Sequence, residues 1–103
     1  MIFVHAGIRP GFPIEAQDPD DLMWIRDEFL WQLNDHEALS VHGHTPVDAP
    51  THYGNRVNID VGAGWGKPLV PVVCENGACF ALTETGRDEV SPPKFGLRMR
   101  PEA

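Results

Sequence analysis

Four side chains that can bind a metal ion or carry a proton follow or end apolar, strand-like segments. His5 follows residues 2–4, His42 and His44 end a second apolar segment, and Asp60 ends a third. Ligands of open α/β sheets gather outside the carboxyl ends of the strands, so these side chains are expected to share one site. Because imidazole nitrogen binds Mn, Fe, Zn and Ni, the sequence indicates a candidate metal site at one sheet edge.

Different roles are expected for these residues. His5 is either a metal ligand or a buried, hydrogen-bonded histidine of the core. His42 and His44 are two residues apart, and we expect at least one of the two side chains to point away from the site. His44, beside a proline turn, is the expected ligand, whereas His42 is expected to pack behind it. Asp60 could bind the metal or orient a histidine, and the second role is the expected one. The surface is the expected place of two further histidines, His36 and His52.

Arg26 lies at the border of an apolar stripe, four residues after Leu22 and four before Leu30. One interpretation is a salt bridge to carboxylates of the first helical turn. The other is phosphate binding, since the guanidinium fork can hold two phosphate oxygens. The residues alone leave these two interpretations equal.

Capping and turn residues define the first helix and the loop before it. Residues 8–17 contain two prolines and a glycine, which favour a loop. Asp18 before Pro19 is typical of a helix start. Apolar residues at spacings of three and four then predict a helix that reaches Leu33.

The remaining pattern is that of β-structure. Residues 2–4 form a continuous apolar run typical of a strand buried on both faces. Residues 56–60 alternate between apolar and polar side chains, and Asn76-Gly77 is a strong hairpin signal. The predicted strands are 2–4, 39–41, 56–60, 69–74 and 78–83.

Length and composition place the chain among small globular domains. Its 103 residues, 42% of them hydrophobic, suffice for one small core. We predict an α/β (α+β) fold with a mixed sheet and one main helix over residues 1–90, and a flexible tail over 91–103. A net charge of −7 disfavours nucleic acid as a partner. No apolar run approaches the roughly 20 residues of a membrane span, so no membrane association is expected.

The two cysteines and the amino terminus favour a cytoplasmic location. Cys74 and Cys79 could in principle bridge across a hairpin, but they stand among apolar residues and are expected to be reduced thiols of the core without a catalytic role. The first apolar run is too short to form the core of a signal peptide.

Four motifs occur in an order that resembles a known enzyme family. They are Val4-His5-Ala6-Gly7, Leu22-Met23-Trp24-Ile25-Arg26, His42-Gly43-His44-Thr45-Pro46 and Asn58-Ile59-Asp60-Val61-Gly62-Ala63. This order resembles the later half of the calcineurin-like metallophosphoesterases. The likeness is to the bacterial and phage serine/threonine phosphoprotein phosphatases and the related symmetrical diadenosine tetraphosphate hydrolases, and it covers residues 1 to about 83.

The resemblance implies a role for each residue of these motifs. His5 and His44 would be ligands of one metal ion, and Arg26 would bind the substrate phosphate. His42 matches a position that is not a ligand, and Asp60 would have a supporting role. The implied fold is the C-terminal half of a four-layer α/β/β/α sandwich. The implied activity is metal-dependent hydrolysis of phosphomonoesters or dinucleoside polyphosphates.

The motifs of the family's first half have no counterpart in this sequence. Gly-Asp-x-His, Gly-Asp-x-x-Asp and Gly-Asn-His-Glu, which complete a two-metal centre in the family, are missing. We therefore expect a truncated chain that is inactive alone. Its cofactor would be a divalent metal, Mn foremost and Fe, Zn or Ni as options, and dinuclear only with the missing half.

The incomplete motif set also determines the expected partners. Besides a phosphorylated substrate, these are a separate N-terminal half or a second copy of the chain bound through an exposed sheet face. The alternative to an enzyme part is a non-catalytic remnant that binds a metal or a partner protein.

Overall fold

Two β-sheets and two short helices build the structure, a computed structural model that describes residues 1–94. The first sheet contains β1 (Ile2–Phe3), β2 (Ser40–His42), β3 (Thr51–His52) and β4 (Arg56–Asn58). The second contains β5 (Val72–Glu75), β6 (Ala78–Thr83) and β7 (Gly86–Glu89). The helices are α1 (Pro19–Trp24) and α2 (Asp27–Leu30), and single 3-10 turns span Ile14–Ala16 and Ala63–Trp65.

The first sheet has the strand order β1-β2-β4-β3. β1, β2 and β4 run parallel, with Phe3 opposite Val41 and Val41 opposite Val57, whereas β3 is antiparallel to β4. The predicted mixed sheet is therefore confirmed. Since β1, β2 and β4 are parallel, their carboxyl ends meet at one edge.

The two faces of this sheet are covered by different layers. Val41 and Val57 are buried against Cys79 of the second sheet. On the opposite face, the Phe29 ring of α2 contacts His42, and Arg56 lies near the same ring. The polar positions of β4 are thus buried as deeply as its apolar ones, because helices rather than water cover them.

The prediction of one main helix from Pro19 to Leu33 is wrong beyond Trp24. The start is as predicted, with the Asp18 side chain accepting a hydrogen bond from the Asp20 amide at 2.8 Å. The helix then breaks because Ile25 adopts an extended conformation, with φ −59° and ψ 144°. The break brings Ile25 and two residues of α2 into one buried cluster, Ile25, Phe29 and Leu30 with Ala6 and Ile8.

An apolar stripe as wide as the one predicted cannot be buried by a single straight helix. Trp24, Trp31 and Leu33 remain exposed, although they count as apolar in the sequence pattern. Breaking the helix lets the chain bury the residues on either side of the break while it leaves these three at the surface.

The second sheet was predicted only in part. The hairpin forms around Asn76 and Gly77, whose φ angles of 52° and 79° suit a two-residue turn. β5 begins at Val72 rather than at residue 69, one residue after Pro71, which has no amide hydrogen to donate. β7 was not predicted because it contains no apolar residue, and it forms through pairing with β6.

The predicted fold class is correct at the coarser level, since the chain is mixed α and β. It has two sheets and two short helices, where mostly one sheet and one main helix were expected. Most of the predicted tail, residues 95–103, lies outside the described residues. None of the helices within residues 1–94 is long and apolar enough to cross a membrane.

At Gly7 the main chain passes directly against the Phe29 ring of α2. A Cβ atom there would overlap atoms of that ring. We expect Gly7→Ala to lower the free energy of unfolding by about 3 kcal/mol, because neither the ring nor the strand end can move aside freely. Urea unfolding followed by circular dichroism measures this loss.

Gly64→Ala is the matched control, because nothing lies within 4 Å of the added methyl group. Its free energy of unfolding should stay within about 0.5 kcal/mol of the parent value. Equal stabilities for the two variants would contradict the close approach at Gly7.

Candidate functional site

Backbone hydrogen bonds align the ends of β1, β2 and β4. The Gly43 amide donates to the His5 carbonyl at 2.8 Å, and the Ile59 amide donates to the His42 carbonyl at 2.9 Å. Both bonds extend the parallel pairing past the last residue of a strand. The segments that carry His5, His44 and Asp60 therefore emerge side by side from one sheet edge.

The structure brings His5 and His44 together. Their ring centroids are 5.0 Å apart and the ring planes are tilted by 60°. His5 is exposed and His44 half-buried, so both rings are accessible from solvent. Together with Asp60 they line a concavity of about 400 Å³ at the sheet edge.

The loop at His44 is held in a conformation that L-residues rarely adopt. His44 has φ 69°, a left-handed value that costs about 1–3 kcal/mol unless the surroundings impose it. The buried Asn58 side chain imposes it in part, since its amide nitrogen donates to the Thr45 carbonyl at 2.6 Å. The Val47 amide closes the loop by donating to the Asp60 carbonyl at 2.8 Å.

Asp60 stands beside the two histidines and is tied to its own turn. Its Oδ1 atom accepts a hydrogen bond from the Gly62 amide at 2.9 Å, and its own amide donates to Asn58 Oδ1. A side chain at Gly43 would approach the Asp60 Cβ atom to 3.3 Å, so glycine leaves room for the carboxylate. This placement agrees with the supporting role predicted for Asp60, which stays a prediction.

His42 is buried behind the site, 1% exposed, and its ring nitrogens both have partners. Arg56 Nη1 lies 3.0 Å from His42 Nε2, and because arginine only donates, Nε2 must accept. The Nδ1 hydrogen is then donated to the Gly43 carbonyl at 3.0 Å. Burial, and next the Arg56 charge, lower the pKa of His42 to about 3, which keeps this imidazole neutral.

Arg56 is a functional neighbour that the sequence interpretation missed. Its guanidinium is 1% exposed, lies 3.8 Å from the centre of the Tyr53 ring and donates to the Leu30 carbonyl at 3.4 Å. Burial lowers the pKa of Arg56 to about 10, so it is still a cation at neutral pH. Arg56 lies two residues before Asn58 and so shares its face of β4. This spacing was the sequence signal that could have identified Arg56.

Arg26 stands next to the histidines rather than among them. It lines a neighbouring concavity together with Trp24, and the Trp24 ring contacts the His44 ring edge-on at 5.7 Å. Burial lowers the pKa of His44, and the Arg26 and His5 charges lower it further, whereas Asp60 acts in the opposite direction. The charge of Arg26 thus acts on His44, one residue of the histidine pair.

The salt-bridge interpretation of Arg26 is wrong for the described part of the chain. The carboxylate of Asp21, in the first helical turn, is bound instead by Arg9 at 2.8 Å. Among residues 1–94 the only other salt bridge joins Arg87 to Glu75, so none involves Arg26. The phosphate-binding interpretation of Arg26 stays a prediction.

The two histidines expected at the surface are both half-buried. His36 stacks on Phe29, with ring centroids 5.0 Å apart and planes inclined by 24°. His52 lies on β3, at the edge of the sheet opposite to β1, and its Nδ1 atom accepts a hydrogen bond from the Gly54 amide. Neither belongs to the histidine pair.

The described residues do not complete a metal site by themselves. Within residues 1–94, no group of three or more His, Cys, Asp or Glu side chains is placed to hold an ion. Catalytic zinc sites have three protein ligands, and two-metal centres also need a bridging ligand. The pair His5 and His44 is therefore at most part of a ligand set.

Comparisons with known proteins give no relative. The chain matches no protein-family model, and neither the curated proteins nor the solved structures contain one that is significantly similar to it.

The neutral state of His42 makes stability depend on pH. Its pKa is about 3 in the folded chain and 6.5 ordinarily. Below pH 6.5 the unfolded chain therefore binds a proton at His42 that the folded chain does not bind, and this favours unfolding. We expect the titration of His42 to lower the free energy of unfolding by up to about 1.4 kcal/mol for each unit of pH decrease between pH 6 and pH 4.

His42→Gln tests this expectation, because glutamine does not titrate and its side-chain oxygen can accept from Arg56. Urea unfolding at several pH values should give a shallower loss of stability for the variant than for the parent. Carboxylates and the other histidines titrate in both proteins, so parallel pH profiles would contradict a buried neutral His42.

Proposed function

We propose that this chain supplies part of the metal centre of a phosphoric ester hydrolase. The observation that carries the proposal is the histidine pair, His5 and His44, with rings 5.0 Å apart at the ends of two parallel strands. The charge of Arg26 contributes to lowering the pKa of His44. The motif order supports a serine/threonine protein phosphatase-like activity on phosphomonoesters or dinucleoside polyphosphates, within a four-layer sandwich.

The chemistry of the donors suits the proposed metal in type but not in number. Imidazole nitrogen binds Mn²⁺ as well as Fe, Zn and Ni ions. Two imidazoles are too few, so the remaining ligands, including the bridge of a dinuclear centre, must come from a further polypeptide segment. The chain alone is accordingly expected to be inactive.

Arg26 is proposed to bind the substrate phosphate. It is exposed, and within residues 1–94 no carboxylate forms a salt bridge with it, so its guanidinium can receive an anion. Arginine binds phosphate through two parallel hydrogen bonds and keeps its charge at all physiological pH values. Trp24 lines the same concavity as Arg26 and contacts the His44 ring, so it joins the proposed phosphate site to the histidine pair.

A non-catalytic, partner-binding role is the second candidate, and an exposed apolar residue favours it. Phe3 is 68% exposed on β1 and lines the concavity of the histidines. In this role a partner would cover the Phe3 ring, either a separate N-terminal half or a second copy. A cytoplasmic location, where thiols stay reduced, is likewise a proposal.

The deciding assay is hydrolysis of p-nitrophenyl phosphate with added Mn²⁺. We expect no turnover by the chain alone, and turnover after mixing with the N-terminal half of a bacterial serine/threonine phosphoprotein phosphatase. In the mixture, His44→Ala should lower kcat/KM by about 100-fold, since it removes a metal ligand. Arg26→Ala should also lower kcat/KM by about 100-fold through the loss of phosphate stabilisation.

His52→Ala is the matched control, since this histidine lies on the opposite edge of the sheet, and its activity should equal that of the parent. Turnover by the chain alone would contradict the need for further ligands. The proposed centre would be contradicted if the folded mixture did not hydrolyse the ester and if His44→Ala bound Mn²⁺ as well as the parent. That outcome would leave the partner-binding role.

A further inference from the structure

Two free thiols face each other across the hairpin of the second sheet. Cys74 of β5 and Cys79 of β6 are direct register partners, and their Sγ atoms are 3.1 Å apart. We propose that this pair is a peroxide-responsive modification site, which closes to a disulfide and reopens without a change of strand register.

The register places the pair where a disulfide fits. The Leu82 amide donates to the Pro71 carbonyl at 2.9 Å, so this pair of residues is hydrogen-bonded. Hydrogen-bonded and non-hydrogen-bonded pairs alternate along an antiparallel ladder, and Cys74 and Cys79 are three steps further along. They therefore form a non-hydrogen-bonded pair, with Cα atoms about 4.5 Å apart, inside the range that a disulfide needs.

The turn fixes this geometry in advance. Asn76 and Gly77 both have positive φ angles, as a two-residue hairpin turn requires. Only four residues separate the two cysteines, so little chain must be ordered before the sulfurs meet. Closing the bond moves the Sγ atoms together by about 1 Å, to the disulfide length of about 2.05 Å.

The surroundings give the two thiols different parts. Cys79 is 1% exposed and packs with Val41 and Val57 of the first sheet, whereas Cys74 is half-buried on the outer strand of the second sheet. Burial, and next the Cys74 thiol, raise the pKa of Cys79 to about 12, which disfavours its thiolate. Cys74 is therefore the thiol that meets the oxidant first, and Cys79 is the thiol that resolves the intermediate.

The reaction is balanced with a hydroperoxide as oxidant. The Cys74 thiolate attacks one peroxide oxygen, the O–O bond breaks, and Cys74 becomes a sulfenic acid while the other oxygen leaves and takes up a proton. The Cys79 sulfur then attacks Cys74 Sγ and expels the hydroxyl group as water. The two thiols lose two electrons and two protons, and hydrogen peroxide is reduced to two water molecules. A small dithiol reductant reverses the oxidation.

Mass spectrometry of the full-length chain tests the proposal. After equimolar hydrogen peroxide, the monomer should lose the mass of two hydrogen atoms, and no cysteine should react with N-ethylmaleimide in denaturant. Dithiothreitol should restore both thiols. The thermal midpoint of the oxidised chain should rise by about 5 °C, because the bond restricts the unfolded hairpin.

Cys74→Ser provides the control and keeps the buried thiol in place. In this variant Cys79 should remain a thiol at the same peroxide dose, and the thermal midpoint should not rise. Retention of both thiols by the parent would overturn the proposal, and so would their loss through intermolecular dimers or added oxygen atoms. These readouts do not depend on phosphoester hydrolysis, so their outcome is separate from that of the proposed function.

Discussion

The buried guanidinium of Arg56 constrains the rest of the structure. It has no carboxylate within salt-bridge distance among residues 1–94, and its charge is stabilised by the Tyr53 ring, the Leu30 carbonyl and His42 Nε2. A buried cation is costly unless such partners hold it, and these contacts join β2, β4 and the end of α2. Burial, and next the charge of this cation, lower the pKa of His42 and keep it neutral, and His42 in turn donates a hydrogen bond to the Gly43 carbonyl.

This arrangement separates the residues that support the candidate site from those that can bind a ligand. His42 has both nitrogens engaged and faces the helices, whereas His44, two residues later, turns towards solvent and His5. The left-handed backbone at His44 makes the difference, since an extended strand would direct its side chain to the same face as that of His42. The neutral His42, with both ring nitrogens hydrogen-bonded, thus holds in place the chain segment from which the more accessible His44 projects.

The sequence predicted those features that depend on neighbouring residues, and missed those that depend on distant ones. Asp18 and Pro19 define the helix start, and Asn76-Gly77 the hairpin, because their backbone preferences act locally. The break at Ile25 depends on which apolar residues the rest of the fold can bury. The periodicity of the sequence carries no information on this. β7 exists only through its pairing with β6, and the inward direction of Arg56 depends on α2. In the site, the meeting of His5 and His44 was predictable from the strand ends, whereas the partnership of Arg56 with His42 was not.

The position of His5 determines from where a metal site would have to be completed. β1 is the outer strand of its sheet, and the amides of Ile2 and Val4 both donate to the β2 segment. Alternation along the strand therefore directs the backbone groups of Phe3 away from β2, to a side where no described strand pairs with them. If His5 and His44 bind a metal as proposed, the missing ligands can approach past this exposed edge, whereas the second sheet and the helices cover the two faces of the sheet. The same contact would bury Phe3, so apolar burial and completion of the ligand set would favour one and the same partner.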